Sequence, residues 1–188
     1  AFGIVILGIF GTYEECGEFS AISKISGVLV MLFYPIGQAM FPYHSRMFLN
    51  GFSYGLKKVI NSARYIILVY TAITILIMIF ANEIIYLVLG ATYLTSTFYF
   101  RLLAIVPLLS IISNLLGTQI VLASGNLVGY NKIFMITGLS HIVITFIGGY
   151  YMQIIGVIFA NIFSLIINIV LLLVYIRILN KINCELTQ

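Results

Sequence analysis

The sequence predicts an all-α fold: a polytopic transmembrane helical bundle of five complete spans plus one truncated span. Three observations lead there. The 188 residues are 62% hydrophobic and only 7% charged, against roughly 45–50% apolar and 25% charged in a soluble domain. Mean hydropathy is +1.18. Several apolar runs approach the roughly 20 residues that cross a bilayer as a helix, and short polar spacers divide them, whereas a transmembrane barrel would alternate over runs of about 10 residues.

The elements follow in order. Phe2 to Phe10 is half a span. It lacks a basic leading stretch and a cleavage site, so it reads as a helix interrupted by the start of the chain rather than a signal peptide. The acidic loop "GTYEECGE" precedes the first complete span, Phe19 to Tyr43, which contains Pro35 and Pro42. Residues 44–64 carry Arg46, Lys57, Lys58 and Arg64 without an acid and read as a loop before the second span, Tyr65 to Ala81. "IIYLVLG", residues 84–90, is too short to cross and is expected as an extra turn near the interface. The third span runs from Phe98 to Leu122. Residues 123–132 have the Gly, Asn and Ser content of a loop. The fourth span is Ile133 to Tyr150, "GGYYMQ" is a tight link, and the fifth, Ile154 to Leu179, ends in a polar tail. Residues 1–188 form one transmembrane bundle, without internal repeats.

Charge assigns the sides. Spans alternate, so residues 44–64, residues 123–132 and the tail share one compartment. With the flanking helix ends it holds Arg46, Lys57, Lys58, Arg64, Lys132, Arg177 and Lys181 against Glu185. The other side holds Glu14, Glu15, Glu18 and Glu83 with only Lys24 and Arg101. The positive-inside rule makes the first side, and the C-terminus, cytoplasmic. Basic residues at helix ends account for the net charge of +4, so nucleic acid is not expected as a partner. Cys16 and Cys184 fall on opposite sides on this topology, which rules out their pairing, and no metal-ligand spacing occurs.

Lys24 therefore sits near the outer side, against the orienting rule. Six residues past Glu18 place it about 9 Å inside the helix start, against a half-thickness of roughly 15 Å. It can snorkel to the headgroups or face an interior cavity, as intramembrane charges do. Ser20, Lys24, Gly27, Met31, Pro35, Gln38 and Pro42 share one helical line, the most polar and irregular face of the span, which favours the cavity. Arg101 opens the third span from the outer side with Gln119 eighteen residues on, and reads equally as an interface anchor or a ligand contact. His141 lies nine residues past Lys132, roughly 13 Å deep. A histidine there can relay protons or bind substrate in a cavity; without Asp in the chain or Glu deep in a span, it lacks a carboxylate partner, which favours interhelical hydrogen bonding. Gly156, Ala160 and Ser164 at four-residue spacing are a packing signature. Paired carboxylates, a metal site and a Gly-rich phosphate loop are all missing from the sequence, so an enzyme is not expected.

Two segments carry a family resemblance. "GEFSAISKISGVLVMLFYPIGQAMFPYHSRM", residues 17–47, resembles the G-x-[FY]-S-x-x-x-K-I … P-I-x-Q-A-x-F-P segment of bacterial polysaccharide flippases. "FRLLAIVPLLSIISNLLGTQIVLASG", residues 100–125, resembles their L-R-…-L-G-x-Q-x-L-x-x-x-G segment, with Phe100 in the usual Leu position. These are the O-antigen and capsule repeat-unit exporters of the multidrug/oligosaccharidyl-lipid/polysaccharide exporter superfamily. The resemblance implies a two-bundle protein of about twelve or more helices in the bacterial cytoplasmic (inner) membrane, with this chain supplying most of the C-terminal bundle. It implies flipping of undecaprenyl-pyrophosphate-linked oligosaccharide by alternating access, without covalent chemistry or a cofactor, and with H+ or Na+ as the open choice of coupling ion. Lys24 is then the K-I lysine and Arg101 the L-R arginine, two cations for pyrophosphate or acidic sugars, with Gln38 and Gln119 available to sugar hydroxyls. Membrane lipids, a polysaccharide polymerase and a chain-length regulator are the implied partners. Two other readings stay open: a drug or organic-cation antiporter of the same superfamily, which wants acidic residues within its spans, and a non-transporting scaffold, which needs no cavity.

Overall fold

The computed structural model describes residues 2–185, with side chains through Asn183, and is helical almost throughout. The side chains of Cys184 and Glu185, both used in the sequence argument, lie outside the described residues. Four stretches are long and apolar enough to cross a membrane: Tyr13–Phe48, Phe52–Ile79, Ala91–Leu122 and Leu127–Asn183.

The first helix, α1 (Phe2–Phe10), is short. At Thr12 the chain restarts as α2 (Tyr13–Phe48) through a capping box. The Thr12 hydroxyl accepts from the Glu15 amide at 3.2 Å, and the Glu15 carboxylate accepts from the Thr12 amide at 2.8 Å. The acidic loop is thus the start of a helix: Glu15 satisfies the Thr12 amide, and Glu14 and Glu15 in the first turn oppose the positive end of the dipole.

Residues 44–64 are not a loop. α2 continues to Phe48, only Leu49–Gly51 intervene, and α3 (Phe52–Ile79) begins directly. Lys and Arg are good helix formers, so the basic charges extend the helices beyond the apolar stretch instead of ending them. Gly51, at φ 111°, makes the reversal that a side chain would resist. The short apolar run expected at 84–90 forms the end of α4 (Ala81–Leu89), with Gly90 as its cap before a 3-10 segment, Ala91–Ser96.

The third span is subdivided into α5 (Thr97–Leu103), α6 (Ile105–Leu116) and a π-helical segment, Gly117–Leu122. Pro107 has no amide to offer the Leu103 carbonyl four residues back, which coincides with the break at Ala104. The π character shows in five-residue bonds, Ala123 N to Thr118 O at 3.1 Å and Asn126 N to Val121 O at 3.2 Å.

The final helix, α7 (Leu127–Glu185), begins inside the stretch expected as a loop and continues through the expected polar tail. It is broken at Gln153, whose φ of 49° and ψ of −125° leave helical space. Its two arms fold back on each other. His141 meets Ser164 at 3.1 Å, Asn168 meets Thr137 at 2.9 Å, and the backbones of Gly148 and Gly156 touch, leaving no room for a Cβ on Gly156. The "GGYYMQ" link expected from the sequence therefore ends at the break.

Apolar side chains hold the elements in three clusters. One joins Leu7, Ile22, Ile85, Phe100 and Ile158, a second Val59, Val121, Ile133 and Leu172, and a third Phe33, Tyr70, Ile111 and Leu115. Outward positions are also apolar, for example Leu68, Leu76, Phe134 and Phe146, as a lipid-facing surface requires.

Candidate functional site

The helix from Thr97 to Leu122 presents Ser110, Ser113, Asn114, Gly117 and Thr118 at spacings of three and four, one polar stripe on an otherwise apolar helix. Four clefts follow one another along it. Nearest the π segment lies a cleft of about 360 Å³ between α2 and α6, with Gln38, Asn114, Thr118 and Gln119 among its walls. The next, about 150 Å³, shares Asn114 and Thr118 and adds Ser110, Ser113 and Asn168. A third, about 280 Å³, shares Ser110 and Asn168 and reaches Thr137, His141, Asn161 and Ser164. The last, about 190 Å³, shares His141 and Asn161 and adds Ser23, Ser26 and Leu103. From Leu103 to Leu122 the helix rises about 28 Å, close to the roughly 30 Å of a hydrocarbon core. The named walls of all four clefts are hydroxyls, amides, one imidazole, tyrosines and apolar side chains, without a Lys, Arg, Asp or Glu.

Hydrogen bonds fix part of this lining and leave part free. The Ser113 hydroxyl donates to Asn168 Oδ1 at 3.1 Å, and Asn168 Nδ2 donates to the Thr137 hydroxyl at 2.9 Å. Asn114 Oδ1 and Ser26 Oγ are buried without a hydrogen-bond partner. Buried polar atoms normally find one, so both are available to a ligand or to water.

The expected site residues divide into three groups. Gln38 and Gln119 share the largest of the four clefts, though 81 residues apart. Gln38 is exposed at its edge, whereas Gln119 is fully buried. Gln119 Nε2 donates to the Gly37 carbonyl at 2.8 Å and its Oε1 meets His44 Nδ1 at 2.8 Å, so its role is partly to join the π segment to α2. His141 is half-buried between the two clefts at the other end, bonded to Ser164. Lys24 and Arg101 are exposed and border none of the four clefts. Further along Lys24's line, Gly27 is half-buried and lines the cleft of Ser23 and Ser26, Met31, Pro35 and Pro42 are exposed, and Gln38 is exposed at the edge of the α2/α6 cleft, so this line runs along the margin of the bundle rather than into its interior.

Two features escaped the sequence reading. His44 is fully buried and bridges Gln119 to the Ser62 hydroxyl, 3.0 Å from Nε2; the regular placement of residues 44–64 in a loop concealed it. The Ser110–Thr118 stripe was legible as small polar residues at helical spacing, but the phase followed from Arg101 runs along the opposite, apolar line.

No protein-family model matches the chain, and no solved structure matches it. It is 24% identical over 143 residues to an Escherichia coli (strain K12) protein named "Putative O-antigen transporter", a match covering 76% of this chain and 34% of that relative. The chain thus spans about a third of its relative's length. Taken with the apolar helices, this is a distant relation to O-antigen transporters and marks a membrane protein.

Proposed function

We propose that this chain is one bundle of a flippase that moves undecaprenyl-pyrophosphate-linked oligosaccharide repeats across the bacterial cytoplasmic membrane by alternating access. The observation that carries the reading is the series of uncharged clefts, whose amides and hydroxyls match the alternating donors and acceptors of sugar hydroxyls. The distant transporter relative supports it. The lack of a carboxylate along the cleft walls disfavours an organic-cation substrate. With the arms of α7 counted separately, the chain makes five crossings after α1, the basic ends being cytoplasmic. Lys24 and Arg101, exposed on the bundle's outside, face the substrate's diphosphate across the boundary with the rest of the transporter. Polymerase and chain-length regulator are the partners in this reading.

The test is to delete the complete parent gene and follow lipid-linked repeats by mass spectrometry, together with surface polysaccharide. Accumulated undecaprenyl-pyrophosphate repeats with loss of surface polymer are expected. Unchanged lipids with new sensitivity to cationic drugs would replace the reading with an antiporter.

A further inference from the structure

The α2/α6 cleft of about 360 Å³ has two kinds of wall. α2 supplies the rings of Phe33, Tyr34 and Phe41, while α6 and the π segment supply Asn114, Thr118 and Gln119. Between them stands Gly37, which has no side chain to fill the gap: a Cβ there would lie 3.2 Å from the Phe33 ring and 3.7 Å from Asn114 Oδ1. Gln119 is already committed, its Nε2 to the Gly37 carbonyl and its Oε1 to His44. Asn114 Oδ1 is not. It is buried without a hydrogen-bond partner, and an amide oxygen only accepts. Keeping such an acceptor unpaired works against stability, so its place in the cleft calls for a donor from outside the chain.

Each simpler occupant leaves something unmatched. A hydrocarbon chain would suit the rings but strand the Asn114 acceptor. Water would satisfy the acceptor but makes no use of aromatic walls. An organic cation finds no carboxylate in these walls, and an anion finds no Lys or Arg; a charge buried without a partner costs far more than a neutral polar group. A pyranose matches both walls, its C–H face apolar and its rim carrying hydroxyls. The volume falls in the range of roughly 300–1,000 Å³ of small-molecule sites, which combine apolar and aromatic walls with a few placed polar groups.

We infer that this cleft is a subsite for one uncharged sugar residue, a hydroxyl of which donates to Asn114 Oδ1 while the ring lies against Phe33 and Phe41, and that a sugar bearing a carboxylate is turned away. Asn114 is then a specificity-determining residue. That the sugar belongs to a lipid-linked repeat rests on the transporter reading; the binding does not. Asn114 also walls the adjoining cleft with Ser113 and Asn168, so an attached sugar has polar groups to follow along the stripe.

The experiment uses the complete protein in phospholipid nanodiscs, with methyl β-D-glucopyranoside and methyl β-D-glucuronide as probes that differ in one carboxylate. Saturation-transfer NMR is expected to show the glucoside bound and the glucuronide weaker by about tenfold or more. Asn114→Leu is expected to weaken glucoside binding about three- to tenfold, one hydrogen bond's share. Its unfolding midpoint in denaturing detergent is expected to equal or exceed the parent's, because an unpaired acceptor has gone. A purely structural asparagine would lower that midpoint. The assignment is overturned by a lowered midpoint in Asn114→Leu, by glucoside binding that the substitution leaves unchanged, by equal binding of the two probes, or by no transfer to either, which would leave water as the partner of Asn114. Translocation of lipid-linked oligosaccharide separates this assignment from the transporter reading. Glucoside binding that depends on Asn114 without translocation would remove the flippase and leave the subsite; translocation at the parental rate in Asn114→Leu would remove the subsite and leave the flippase.

Discussion

Replacing Gln119 by Leu removes polarity at nearly constant shape, so little cavity cost is expected. Two bonds of 2.8 Å disappear. The Gly37 carbonyl lies within α2 and keeps its helical partner, but His44 Nδ1–H stays buried with nothing to receive it. An interhelical bond in a membrane averages about 0.6 kcal/mol, and an orphaned buried donor costs about 1–3 kcal/mol. Together they set the expected loss at about 2 kcal/mol. His44→Leu orphans Gln119 Oε1 and the Ser62 hydroxyl keeps its backbone acceptors, giving a similar loss. In the double variant no orphan remains across this contact, so its loss is expected to fall short of the sum by about 1 kcal/mol or more. The assay is reversible unfolding of the complete protein in mixed micelles, titrated with denaturing detergent. Losses for Gln119→Leu below about 0.3 kcal/mol, or strict additivity within about 0.5 kcal/mol, would refute the description of Gln119 as the link between α2 and the π segment.

Other outcomes can be read in the same way. Gly156→Ala drives a Cβ into the Gly148 carbonyl and is expected to destabilise the α7 hairpin by about 1–3 kcal/mol; Gly138→Ala, with open space around it, should stay within about 1 kcal/mol of the parent. Thr12→Ala opens the capping box and should cost about 1 kcal/mol, measured by the same titration. Lys24→Gln and Arg101→Gln in the complete protein should each slow export about tenfold, the equivalent of 1.4 kcal/mol from a lost charge-assisted contact. Normal membrane insertion with parental export rates in both would show that these exposed cations do not meet substrate.

Hydropathy and charge made the membrane bundle, the apolar runs and the turn before Ile154 legible, because each depends on composition over a window. Helix ends were less so. Arg46, Lys57 and Lys58 carry charge without breaking a helix, so the polar stretch from 44 to 64 hid the end of one helix and the start of another around Gly51. Gln38 and Gln119 were recognisable as polar residues in apolar spans, but their meeting depends on how α2 crosses α6. His44 and Gln119, 75 residues apart, find each other only in three dimensions. Lys24 shows the remaining limit: periodicity places it on the polar line of α2, but says nothing about which neighbour, if any, covers that line.

The π segment gives one place in this helix where chain length is negotiable. A turn of i→i+5 bonds holds one more residue than the α-helix around it, so it amounts to an insertion accommodated without a loop. Removing one residue between Gly117 and Leu122 would let the ladder close to α-helical spacing, the helix beyond keeping its face while side chains within the segment re-phase by up to about 100°, one residue's rotation. Gln119 would then leave the Gly37 carbonyl and His44. The extra residue is what turns an amide toward the neighbouring helix at that depth, so the spacing of this segment, as much as its composition, is under constraint.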